Sequence, residues 1–205
     1  MSIKQTIKEI PFVEEYLKKK RVTEWIRKGY PTGSHYLKQM TVLYYAVTHH
    51  IEVLVETGTF MGDMVWAQKD YFKKIYSIEL SKELFNKALR RFRNKHHVQL
   101  LHGDSSDKLK EVVDQLNSPA LFWLDGHYSE GITAKGEKIC PVLSELTSIF
   151  QSRYNHVILI DDARLFVGKD DYPTLEELKN FVSQHSKCNI KIENDIIILT
   201  EQGHI

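Results

Sequence analysis

The sequence is poor in cysteine, in long apolar runs and in net charge, and each shortage excludes a class of protein. Only two cysteines, Cys140 and Cys188, occur among 205 residues. They form neither a CxxC pair nor a disulfide framework, and both read as ordinary thiols. The longest apolar runs, 120–124 and 196–199, fall far short of the ~20 residues that cross a bilayer, so no membrane partner is expected. The first ten residues spread charge throughout and lack an apolar stretch before a small-residue cleavage site. No secretory signal is read there, and the cytoplasm is the expected location. Lys and Arg (28) balance Asp and Glu (27) to a net charge of +1, which provides no global field for nucleic acid. The basic run from Arg90 to His97 closes an expected helix, where cations are favourable in any case, and no wider basic face accompanies it. Nucleic acid is therefore disfavoured as a partner.

What is present is an ordinary globular composition, with 42% apolar, 11% aromatic and 27% charged residues. From residue 51 onward, short apolar runs alternate with amphipathic stretches, which is the βαβ pattern. Strands are expected at 51–57, 75–80, 98–102, 120–124, 157–160, 190–193 and 196–200, and helices at 62–72, 82–93, 107–116, 141–151 and 174–183. Ser81 and Thr174 are placed to cap two of the helices. Asn194 and Asp195 alone separate the last two strands, which should form an antiparallel hairpin. The expected fold class is therefore α/β, a Rossmann-like doubly wound sheet, mostly parallel, with an antiparallel C-terminal hairpin. Residues 1–50 read as a helical cap, containing a Gly/Pro/Ser loop at 29–34 and a helix at 36–48, on one compact domain at 51–205. Exposed apolar residues of that cap could equally make a homodimer contact.

The first strand runs into Glu56-Thr57-Gly58-Thr59-Phe60-Met61-Gly62 and then into a helix. Gly58 permits a tight turn and close backbone approach, and Gly62 opens a helix whose free N–H groups favour a polar or anionic ligand. The second strand ends at Glu79, about 20 positions on, where a ribose hydroxyl pair needs an acceptor. The third ends in His102-Gly103-Asp104-Ser105, another acid on the same rim. Each acid alone is also what a solvated loop would carry.

These residues together resemble a class I S-adenosylmethionine-dependent methyltransferase, from about Tyr36 to the C-terminus. Glu56-Thr57-Gly58 matches the first motif of that family, Glu79 its ribose acid and Asp104 its adenine-side acid. The resemblance implies a seven-stranded sheet with the terminal strand reversed. It assigns the cofactor to Glu56, Gly58, Thr59, Phe60, Gly62, Glu79, Asp104, Ser105 and Asp125. Phe60 stands where a glycine is common. NAD-binding domains share the first two features without the closing hairpin.

The fourth and fifth strands end in Asp125-Gly126-His127-Tyr128 and in Asp161-Asp162. Neighbouring central strands would bring Asp125, Asp161 and Asp162 together, and three carboxylates repel unless a positive charge intervenes. Hard oxygen ligands with open positions suit Mg²⁺. The pattern is similar to the metal-dependent O-methyltransferases of the catechol and macrolide-sugar types. Methyl transfer needs a hydroxyl held in line and stripped of its proton. His127, beside the catalytic Asp125, is the natural base, although an isolated histidine also serves local hydrogen bonds. Lys135 and Lys138, in the polar stretch 129–138, could meet an anionic acceptor or stay solvated. The expectation is Mg²⁺-assisted O-methylation of a small polar metabolite such as a sugar. The alternatives are metal-independent methylation of nitrogen or RNA, and a non-catalytic cofactor-binding module.

Overall fold

The computed structural model describes residues 34–126 and 140–201. Its elements in chain order are α1 (His35–Thr48), β1 (Val53–Thr57), α2 (Asp63–Gln68), β2 (Lys74–Glu79), α3 (Lys82–Phe92), β3 (Val98–His102) and α4 (Ser105–Gln115). They continue with β4 (Leu121–Leu124), α5 (Val142–Phe150), β5 (Val157–Ile160), a 3-10 turn (Ala163–Leu165), α6 (Leu175–His185), β6 (Cys188–Glu193) and β7 (Ile196–Glu201).

One seven-stranded sheet in the order β3-β2-β1-β4-β5-β7-β6 carries the chain. Pairings are parallel from β3 through β5, and only β7 runs against its neighbours. The two-residue turn between β6 and β7 puts both Asn194 (φ 52°) and Asp195 (φ 66°) in the left-handed region. Such a turn matches the twist of a hairpin, and the expected hairpin is there.

The centre of the sheet is buried on both faces, as the uninterrupted apolar runs of β4 and β5 require. Strand alternation sends Phe122, Leu124, Ile158 and Ile160 to one side, against α4, α5 and α6. Leu121, Trp123, Val157 and Leu159 go to the other, against α1, α2 and α3. Each large apolar side chain fully buried here contributes about 1.5–3 kcal/mol, so these central strands hold the three layers together. Val42 and Ala46 of α1 belong to the second of these cores.

Caps fix where helices begin. Ser34 accepts the Leu37 N–H at 3.2 Å, and Asp104 accepts that of Ser106 at 2.9 Å. Ser81 accepts from Leu84, and Thr174 forms a reciprocal capping box with Glu177, as its position implied. Several boundaries shift: α4 starts at Ser105, two residues before the expected 107, and α6 runs to His185, two beyond the expected 183. Gly62 (φ 75°) is left-handed and stands outside α2, which ends at Gln68 and not at 72, with Phe72 buried beyond it before β2. The first strand starts at Val53, and β6 starts two residues earlier than the apolar run implied.

Candidate functional site

Parallel strands point their carboxyl ends at one rim, and the crevice opens where the strand order reverses, between β1 and β4. Gly58 lies there with φ +82°, and a Cβ on it would sit 2.3 Å from the Asp125 carbonyl oxygen. The loop after β1 can approach the end of β4 only through glycine. Phe60 adopts the left-handed conformation (φ 49°) expected of the glycine it replaces. That costs about 1–2 kcal/mol. The loop is tied down in return, because the Phe60 N–H donates to Glu79 Oε2 at 2.7 Å.

Glu79 also accepts the Ser81 N–H on Oε1 at 2.8 Å. Each carboxylate oxygen has a second lone pair for a hydroxyl donor. Burial raises Glu79 above its ordinary pKa, with its backbone donors opposing. Deeper in, Thr59 and Ser77 share a hydroxyl hydrogen bond of 2.6 Å, and Ser77 donates to Glu56. Glu56 is buried, which lifts its carboxyl well above the usual range against the Ser77 hydrogen bond, with Asp125 and Glu79 adding repulsion. Asp104 begins α4 as its cap, with Ser105 buried as the first helical residue. Asp104 therefore has a structural role beside any contact to a cofactor.

On the other side of the crevice the acids behave differently. Asp125, Asp161 and Asp162 offer oxygens that all lie within 4.8 Å of one another, which is the convergence expected from the ends of β4 and β5. Asp162 holds a left-handed backbone (φ 57°), and its N–H donates to Asp161 Oδ1 at 2.8 Å. Two cations meet this cluster. Lys38 of α1 donates to Asp161 and lies 3.3 Å from Asp162 Oδ1. Arg164 donates to the same Oδ1 at 2.7 Å, and also to Asp195. Burial works to lower the Lys38 pKa, but Asp161, with Asp162 and Asp125, outweighs it and holds the ammonium above its ordinary value. Burial raises Asp161, opposed by Lys38.

Neither Lys38 nor Arg164 was among the residues singled out from sequence. Lys38 had a readable signal: it shares the i, i+4, i+8 face of α1 with Val42 and Ala46, and a lysine on a buried face calls for a partner. His127, Tyr128, Lys135, Lys138 and the cap segment before Ser34 lie outside the described residues. Cys140 is buried, which pushes its thiol up to about 11, and Cys188 is raised by the same cause. Both fit the reading as unreactive thiols. In the basic run, Arg91 is already engaged, donating to the Met61 carbonyl and to Asp63 Oδ1.

No protein-family model and no curated protein matches the chain. Solved structures match its fold. The O-methyltransferase TomG from Streptomyces achromogenes, solved with S-adenosylmethionine, aligns with a TM-score of 0.61 at 14% identity, over 98% of this chain and 100% of TomG. The chain has the S-adenosylmethionine-dependent methyltransferase fold. An O-methyltransferase from Bacillus cereus, solved with S-adenosylhomocysteine, aligns with a TM-score of 0.60 at 11% identity, covering 96% of each chain. The 23S rRNA methyltransferase ErmE shares this methyltransferase fold, with a TM-score of 0.51 at 11% identity, over 80% of this chain and 68% of ErmE.

The residues present fit the methyl donor of this fold. Thr57 Oγ1 is buried beside Gly126 and has no hydrogen-bond partner among the described residues. The Asp125 triad also fits a divalent cation in donor type and spacing, since three hard oxygens converge.

Proposed function

We propose that the protein methylates a hydroxyl of a small polar acceptor such as a sugar, using S-adenosylmethionine and a Mg²⁺ ion held by Asp125, Asp161 and Asp162. The observation that carries this reading is the carboxylate triad beside the glycine loop. S-adenosylmethionine supplies a methyl group already made electrophilic by its sulfonium, and Mg²⁺ lowers the pKa of a hydroxyl presented to it. The protein then has to bind, orient and deprotonate.

Glu79 is assigned the ribose hydroxyls and Asp104 with Ser105 the adenine side. Glu56, whose carboxyl burial lifts well above its usual range, supports the Thr59 turn through Ser77. Asp125 lies between the two halves, its N–H donating to the Thr57 carbonyl at 3.1 Å. His127 is assigned the acceptor proton on its closeness in sequence to Asp125.

A second reading, metal-independent methylation of nitrogen or RNA, draws on Lys38, which already gives the triad a cation. Calorimetric titration of S-adenosylmethionine into the chain, with NAD as control, tests the cofactor. Binding of NAD alone, or of neither, would overturn the reading. Methyl transfer to hydroxyl acceptors should then collapse on chelation and return with Mg²⁺; transfer indifferent to chelator favours the second reading.

A further inference from the structure

The triad is a buried acidic cluster that already holds a cation of its own. Lys38 Nζ pairs with Asp161 and Asp162, and the Lys38 side chain is only 14% exposed. It is no wandering surface lysine. Val42 and Ala46, one and two turns further along α1, are packed in the core, so the helix delivers Lys38 to a fixed place at the rim. Arg164 reaches Asp162 from the chain beyond β5 at 2.7 Å. Two positive side chains thus face the triad, Arg164 being shared with Asp195, and Asp161, at 3% exposure, is paired and not a lone buried carboxylate.

A divalent ion coordinated by the triad would need carboxylates that now bind Lys38. Resting on the metal reading above, we propose that Lys38 is a tethered counter-ion that competes with the metal for Asp161 and Asp162, so that metal enters by exchange with the ammonium. The ammonium and the metal are alternative occupants of one charge pocket. In this arrangement the acids remain neutralised and folded before metal arrives. Metal affinity is set by the difference between two cations rather than by the triad alone.

The test uses the full chain and Mn²⁺ as probe, counted by the electron paramagnetic resonance signal of the free ion. Lys38→Gln should bind Mn²⁺ roughly 10- to 100-fold more tightly than the wild type, the equivalent of one charge-assisted hydrogen bond. Lys38→Arg keeps the charge and should gain nothing. A second measurement needs no variant: reductive methylation of Lys38 in the wild type, read by mass spectrometry, should accelerate as Mg²⁺ is added. If metal binds while Lys38 stays protected and Lys38→Gln shows wild-type affinity, the exchange is wrong and the metal reading stands. If neither the wild type nor Lys38→Gln binds metal, the metal reading falls and the exchange falls with it.

Discussion

On the β1–β3 side of the crevice, the rim acids Glu79 and Asp104 are held by backbone N–H groups, and Glu56 behind them by the Ser77 hydroxyl. Glu79 takes the N–H groups of Phe60 and Ser81, and Asp104 that of Ser106. On the β4–β5 side, Asp161 is held by Lys38 from 123 residues away, and Asp162 by both Lys38 and Arg164. Backbone donors are fixed dipoles that leave a carboxylate's charge largely available to a ligand. Side-chain cations cancel that charge outright. The first rim thus keeps acids whose charge is met by fixed dipoles, and the second keeps acids already paired with side-chain cations.

Substitutions should separate the two rims by size of effect. The largest is expected for Asp161→Ala, which leaves the Lys38 ammonium half-buried without its main partner. Breaking a buried pair from one side costs about 3–5 kcal/mol. Urea denaturation should show this loss, and adding Lys38→Met to the same chain should restore most of it. A double variant no more stable than the single would mean that the two side chains are not energetically paired.

Glu79→Ala comes next. It should weaken S-adenosylmethionine binding by roughly 1.5–3 kcal/mol, the value of a hydrogen bond to a charged group, as read by calorimetry. An unaltered affinity would remove Glu79 from the cofactor site and erase the contrast between the rims. The smallest effect belongs to Phe60→Gly. Relief of the left-handed backbone is worth about 1–2 kcal/mol, and the entropy of the added glycine takes back about 0.5–1 kcal/mol. A net gain near 1 kcal/mol or below is expected in chemical denaturation. A marked loss would show that the half-exposed Phe60 ring has a packing role.

The same contrast governs what could be read from the sequence. Glu79, Asp104, Asp125, Asp161 and Asp162 each follow an apolar run, so strand ends and acids were legible together. The Asn194-Asp195 turn announced the hairpin for the same local reason. The helical face of Lys38 signals that it needs a partner, but which acids it and Arg164 meet is set by pairings across the chain or a loop, which periodicity does not name. Gly62 misled the start of α2, because a glycine that opens a helix and one that precedes it in the left-handed region look alike in sequence. Asp104 was legible as a rim acid, but its capping bond to Ser106 shows that the same position also serves the fold.

The place of β7 has a consequence for the order of assembly. It lies between β5 and β6, and the turn before it is stitched to the segment after β5: the Ala163 N–H donates to the Asp195 carbonyl at 2.8 Å, and the Arg164 N–H to Asp195 Oδ1 at 2.8 Å. Until residues 195–201 have been made, β5 therefore presents a bare strand edge and Arg164 lacks one of its two acids, Asp195. The half that carries Asp161 and Asp162 must wait for the last strand, a long-range closure of the kind that slows folding and leaves an edge open to wrong partners.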